Sequence, residues 1–525
     1  MMQEAETVSR IIPLRHATTS VAGEPRQRRG IRPAVIMSAV VVVGAALRIV
    51  GITHQSIWLD EAFSVYLSAH RYPTILDFIA GSDAHPPLYY LVLHTWMVLG
   101  SSVLVLRMLS ALASIATLVM LYLLGRRLAN PRVALLATAF MAISAFQVWY
   151  AQEVRMYALT TLAVVIAVYG LVRAWHQGGM SSWVLFTGGM LAAIYLDYSA
   201  FYVYSALILW FLRVGARTVE RRKPFVLSNI VIFLGYLPWL PVLWRQIVIV
   251  GTLTSWIDGS NGSGVVGALT DLFFNRTNLL QSGSNLAGIV AGTLSLTVVG
   301  VALVLSRQAR AYSLLAYWFG WPCLLGLTLD LLNHPVVIAR QLMVVQPALF
   351  LLLALASEHT WKRLPNGALS RFRVVIFTVL LGTFIIANIS AQVTSWTTTL
   401  KEDWRAAATI VATHQQPGGL ILFNAYFVQM PFDYYFHSPE IRHDRIVERG
   451  YQTEESLLYA DLASTGTGVV SGTAMSGYTA VWLVVSHAGT PTAGAAVPPW
   501  LNSHYHLVRQ WDLAGVSILL FEPFT

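Results

Sequence analysis

The sequence predicts a polytopic α-helical membrane protein that carries a small α/β domain at its C-terminal end. Three observations predict this. Of 525 residues, 56% are hydrophobic and only 11% are charged, against roughly 25% charged in ordinary soluble domains. Several apolar runs exceed the ~18 residues that read as a membrane span. Short basic clusters separate those runs, the pattern by which Lys and Arg set orientation in a bilayer. The net charge of +9 is therefore a membrane signal, not a nucleic-acid one. The single cysteine, Cys323, rules out an internal disulfide framework. A soluble enzyme, a disordered scaffold and a secreted disulfide module are all excluded.

Taken in order, residues 1–32 are polar, with Arg10, Arg15, Arg26, Arg28, Arg29 and Arg32 as the main charges. They lack the apolar core and small-residue site of a cleaved signal peptide. They read as a disordered cytoplasmic tail ahead of a first span at 33–52. The next apolar stretch, Pro86 to Gly100, has 15 residues. As a helix it reaches ~22 Å, short of the ~30 Å hydrocarbon core. Residues 103–124 are long enough, and they end near Arg126, Arg127 and Arg132, which should be cytoplasmic. Residues 53–102 then form one external loop, with 86–100 lying as a helix at the outer interface, a depth suited to Tyr89, Tyr90 and Trp96.

Further spans are expected at 133–150, 156–175, 181–197, 199–214, 225–245, 285–305, 312–330, 337–357 and 373–392. The loops at 213–223, 307–310 and 358–373 are basic and belong inside, and 246–284 is a second external loop. This gives about eleven spans within 33–398, an external C-terminus, and multi-pass residence in a plasma membrane. From 399 to 525 the composition changes to short alternating elements. A helix over 402–414 and strands over 420–424, 481–486 and 516–521 predict an extracytoplasmic α/β domain.

Four features carry chemistry. Asp60 and Glu61 are adjacent acids in an apolar run, SIWLDEAFSVY. They serve as an N-cap and first-turn acid, as a general base, or as metal ligands, and these readings are compatible. Asp83 and His85 precede Pro86 and Pro87, which fix the start of the interfacial helix. Arg107, Arg155 and Arg340 all fall at outer span ends, where the positive-inside tendency disfavours them. Snorkelling or pairing with Glu153, Asp330, Asp60 or Glu61 accounts for one or two of them. Three at one depth point to an anion such as a phosphate. Lys401-Glu402-Asp403-Trp404-Arg405 reads as a capped helix start, with a phosphate or headgroup contact as the alternative. No phosphate-binding glycine loop and no zinc spacing occurs.

Together, the first span, WLDEAFS, HPPLYY, Arg107 and QEVRMYAL resemble the GT-C superfamily of membrane glycosyltransferases. They are most similar to glycosyltransferase family 39, which includes protein O-mannosyltransferases and the lipid A aminoarabinose transferase. The resemblance is strongest over 33–240 and continues more weakly through Arg340 and Pro347. It implies a polyprenyl-phosphate sugar donor, with mannose the first choice of sugar. It also implies transfer with inversion to an acceptor hydroxyl on a glycolipid, polysaccharide or protein outside the membrane. Asp60 takes the role of general base, and Glu61 supports the site or the acceptor. Arg107, Arg155, Arg340 and His85 take the donor phosphate. Trp58, Asp83, Tyr89, Tyr157 and Tyr198 fall to the substrate pocket. No cofactor is required by the resemblance, and a divalent metal at Asp60, Glu61, Asp83 and His85 is a further candidate. Where several relatives carry His-Tyr, this chain has Asp197-Tyr198, which leaves the acceptor open. The rival readings are a secondary transporter, a flippase for the same lipid, and a non-catalytic receptor.

Overall fold

The computed structural model describes residues 33–214, 218–253, 268–271, 300, 304, 311–332, 338–362, 368–415, 419–423, 426–436, 442–443, 478–486 and 499–524. The N-terminal tail, most of the second expected external loop, the expected inside loop at 307–310 and all but residues 300 and 304 of the expected span at 285–305 lie outside the described residues. The chain divides into two compact units. One comprises residues 1–50, 83–89 and 107–394; the other comprises 51–82, 90–106 and 395–525.

The first unit is helical. It holds α1 (Pro33–Ile49), then, after the second unit's α2 to α4, α5 (Val103–Leu128, whose first four residues fall in the second unit), α6 (Pro131–Ile143), α7 (Ala145–Ala151), α8 (Tyr157–Gln177), α9 (Met180–Leu196), α10 (Ala200–Arg213), α11 (Val219–Tyr236), α12 (Leu240–Leu253), α13 (Tyr312–Leu331), α14 (Gln346–Lys362) and α15 (Ala368–Thr397, whose last three residues fall in the second unit). Among the described residues, five helices are long and apolar enough to cross a membrane, or six if one bent pair counts as a single span. Helices α1, α9 and α10 are apolar but shorter. The bent pair is the expected span at 133–150: it breaks at Ser144 into α6 and α7, with a 62° bend. Asn130 starts α6, accepting from the N–H groups of Arg132 and Val133 at 2.9 and 3.1 Å, and Pro131 occupies the first turn, where its missing N–H costs nothing.

Small residues set the closest helix approach. A Cβ on Gly170 of α8 would lie 2.5 Å from the backbone N of Phe186, and one on Gly189 of α9 would lie 2.8 Å from that of Ala167. Side-chain-free contact is how helices pack tightly where lipid supplies no hydrophobic drive between them. The expected span at 337–357 begins as a 3-10 segment, Ala339–Val345, and continues as α14.

The second unit contains α2 (Leu59–Ser68), α3 (Tyr72–Ser82), α4 (Leu88–Trp96, whose first two residues fall in the first unit), α16 (Trp404–His414), α17 (Tyr426–Tyr435) and α18 (Pro499–His504). The apolar stretch before Gly100 forms α4 and one 3-10 turn, Met97–Leu99, as a short helix following the two prolines. Phe63 of α2 packs against Phe78 and Tyr90, with ring centroids 5.9 and 6.2 Å apart. The sheet has strand order β2-β1-β3-β5-β4. Strands β1 (Leu420–Phe423), β2 (Arg442–His443) and β3 (Val481–Ser486) are parallel. Strand β5 (Val516–Pro523) runs antiparallel to β3 and to β4 (Tyr505–Leu513). β1 and β3 are buried throughout, as a two-face-covered sheet centre requires. Trp404, Phe423, Phe432, Phe436 and Trp482 fill one face of the sheet. Tyr435 packs against that core, and the Tyr434 hydroxyl donates to the Ser101 carbonyl at 2.6 Å.

Candidate functional site

The first unit gathers the expected phosphate ligands. Asp83, in the loop before α4, accepts from the Ala84 N–H at 2.7 Å and pairs with His85 Nδ1 at 2.9 Å. His85 Nε2 lies 3.3 Å from Arg155 Nη2. A guanidinium only donates, so Nε2 is assigned as the acceptor and Nδ1–H as the donor to Asp83. Burial raises the Asp83 carboxyl, but His85, the Ala84 N–H and Arg155 outweigh it and hold the group below the usual carboxylate range. Arg155 is buried, and its guanidinium lies 5.9 Å from the Tyr157 ring centroid. The Arg155 carbonyl accepts from Ser110 Oγ at 3.2 Å. Ser110 lies one turn beyond the buried Arg107 on α5 and therefore on the same helix face. Arg340, half-buried at the start of its 3-10 segment, acts electrostatically on Tyr150, as do Glu153, Tyr157 and Asp271. Arg107, Arg155, Arg340 and His85 thus belong to one region of one unit.

Tyr198 joins this region indirectly. Its hydroxyl donates to Gln246 Oε1 and accepts from Trp239 Nε1 at 3.0 Å. Gln246 Nε2 in turn donates to the His85 carbonyl at 3.3 Å. Asp197 caps the turn into α10 by accepting from the Ser199 N–H at 2.7 Å. Tyr89 is fully buried. Neither Gln246 nor Trp239 carries a motif; only the convergence of helices reveals them.

The second unit holds Asp60 and Glu61. Asp60 is not the N-cap of α2: Trp58 occupies that position. Both acids fall instead in the first turn, where the helix dipole favours negative charge. Glu61 is fully buried, and its Oε2 accepts from the Trp58 N–H at 3.5 Å. It forms an ion pair with Lys401 Nζ at 3.3 Å, and the same ammonium lies 5.6 Å from the Trp58 ring centroid. Asp60 is partly exposed. Gln55 fixes the segment that carries the lysine. Its Nε2 donates to the carbonyls of Ser395 and Thr398 at 2.9 and 2.8 Å, and its Oε1 accepts from the N–H groups of Leu400 and Lys401 at 2.9 and 3.2 Å. Asp403 caps α16 by accepting from the Ala406 N–H at 3.1 Å, as the capped-helix reading of KEDWR expects. Among the described residues, no group of three or more His, Cys, Asp or Glu comes together to hold a metal ion.

Chemically, the first unit gathers the buried guanidiniums of Arg107 and Arg155. The second offers a half-exposed carboxylate beside a neutralised one. Residues 84–242 match the family of dolichyl-phosphate-mannose-protein mannosyltransferases. No curated protein matches by sequence. Among solved structures, the chain is similar to ArnT from Cupriavidus metallidurans bound to undecaprenyl phosphate, with 13% identity, a TM-score of 0.55, and coverage of 93% of this chain and 97% of that one. It is also similar to the archaeal oligosaccharyltransferase AglB from Archaeoglobus fulgidus, in complex with an inhibitory peptide and a dolichol-phosphate. There the identity is 13%, the TM-score 0.54, and the coverage 93% of this chain and 74% of that one.

Proposed function

From the GT-C superfamily fold that the chain has, we propose an integral-membrane glycosyltransferase that moves a sugar, mannose in the first instance, from a polyprenyl-phosphate donor to an acceptor hydroxyl. The observation that carries this reading is the Asp83–His85–Arg155 cluster. It lies almost wholly inside the 84–242 segment that matches the mannosyltransferase family, and so does Arg107. A buried guanidinium with fixed neighbours is suited to a lipid-linked phosphate, whose charge grows as the glycosidic bond breaks.

In the proposed reaction, Asp60 takes the proton of the acceptor hydroxyl. The acceptor oxygen bonds to the anomeric carbon, and the bond from that carbon to the phosphate oxygen breaks. The polyprenyl phosphate departs with the electron pair, its charge stabilised by Arg107, Arg155 and Arg340, with His85 orienting Arg155 through Nε2. Direct displacement inverts the anomeric carbon. The partly exposed Asp60 suits the base better than Glu61, whose charge is already neutralised by Lys401.

The test uses purified protein in nanodiscs with radiolabelled polyprenyl-phosphate mannose and an envelope glycolipid extract. Asp60→Asn lowers turnover by about 10²–10⁴-fold while donor binding stays near wild type. Retained turnover in that variant would sink the base assignment. Saturable donor binding without transfer, repeated with a pentose donor, would favour a lipid carrier.

A further inference from the structure

Arg48 is fully buried inside the first unit, at the last turn of α1. An arginine at this depth is costly unless its donors are filled. Its Nε donates to Ser114 Oγ at 2.7 Å, and its Nη1 to the Gly44 carbonyl at 2.9 Å. Two more bonds go to the end of α6: Nη1 to the Ala142 carbonyl and Nη2 to the Met141 carbonyl, both at 3.1 Å. These are carbonyls that the break at Ser144 removes from the helix ladder. The matching N–H, of Ala145, donates to Asn388 Oδ1 at 2.8 Å. A cation at the negative end of α6 also suits its dipole.

A second contact ties α1 to the far side of the break. Gln152, at the end of α7, donates from Nε2 to the carbonyls of Arg48 and Val50 at 3.1 and 2.9 Å, and at 3.4 Å to that of Leu47. Arg48 thus caps the end of α6 on one side of the break, and Gln152, on the other side, caps the end of α1. Gly44 permits this approach, because a Cβ there would lie 2.5 Å from Leu118 Cδ1 and 3.1 Å from Ala142 Cβ. Gln152 also opens the short non-helical link that carries Glu153 and Arg155 into α8. The far end of that link is held through the Arg155 carbonyl and Ser110.

We propose that Arg48 and Gln152 are positioning residues, a two-point clamp of α1 to both sides of the break that sets the direction in which Arg155 meets a phosphate. The inference rests on the transferase reading. Such a clamp fixes a charged donor before the ligand arrives, so that no reorganisation is needed on binding.

The experiment measures undecaprenyl phosphate affinity and donor KM for the full chain in nanodiscs. The proteins compared are wild type, Gln152→Leu, Arg48→Lys, Arg155→Ala and the double variant Gln152→Leu/Arg155→Ala. Gln152→Leu weakens binding about tenfold, with kcat changed less than KM. In the Arg155→Ala background the same change has no further effect, a non-additivity that a merely structural loss does not produce. Arg48→Lys keeps the charge, loses the fork, and falls between wild type and Gln152→Leu. Additive losses, or wild-type affinity in Gln152→Leu, overturn the clamp and leave the transferase reading standing. A wild-type protein that binds no undecaprenyl phosphate overturns both.

Discussion

Two buried cations, one in each unit, are accommodated in opposite ways. Arg48 is filled by a hydroxyl and three carbonyls, so its charge persists in the region that also holds Arg107, Arg155 and Arg340. Lys401 is filled by the carboxylate of Glu61, so the two charges cancel. Neutral ligation leaves the positive charge of Arg48 uncompensated by a carboxylate in those bonds; ion pairing sets the Lys401 charge against that of Glu61.

The largest effect that would break this comparison is on the ion pair. Lys401→Met leaves the Glu61 carboxylate buried without this partner and costs about 3–5 kcal/mol, read as the midpoint of thermal unfolding in detergent. Lys401→Met with Glu61→Gln recovers most of that loss. A single variant as stable as wild type would remove the pair from the account. Next in size is Arg155. Arg155→Ala weakens undecaprenyl phosphate binding by about 10–100-fold, and Arg155→Lys recovers part of it, as measured by ligand-induced thermal shift. Equal affinity in both variants and wild type would contradict a phosphate role.

The smallest effect concerns Asp83, whose folded-state pKa is held below its ordinary 3.8 by His85, Ala84 and Arg155 against the opposing pull of burial. A depressed carboxylate contributes stability fully above the unfolded value and loses it as pH falls through the folded one. Asp83→Asn therefore flattens the acid limb of the stability profile below about pH 4 and leaves the neutral range little changed. An unaltered acid limb would show that the His85 contact contributes nothing.

Much of the helical unit is legible locally. Val103–Leu128 follows from a long apolar run with Arg107 as its one charge before Arg126, and α8, α9 and α10 fall within a few residues of their expected bounds. The break at Ser144 is not legible, because Ala142 to Gln147 contains neither proline nor glycine. Its stability comes from Arg48 and Asn388, 94 and 243 residues away in sequence. Strand β4 escaped expectation for a different reason: most of its residues are exposed, so neither apolar alternation nor an apolar run marks it. The Asp-Glu and His-Pro-Pro motifs are readable as chemistry, yet the sequence does not separate the surroundings of Asp60 and Glu61. Glu61 is buried against Lys401, 340 residues distant.

The Arg48 cap on α6 also has a consequence for the order of synthesis. Arg48 leaves the ribosome before its α6 partners Met141 and Ala142 have been made; Met141 follows by 93 residues. Until then the last turn of α1 carries a guanidinium without those partners, which a bilayer disfavours. The first helix is therefore expected to wait beside the insertion channel until α6 emerges. Nascent chains arrested before and after residue 142 should differ in how readily α1 crosslinks to that channel.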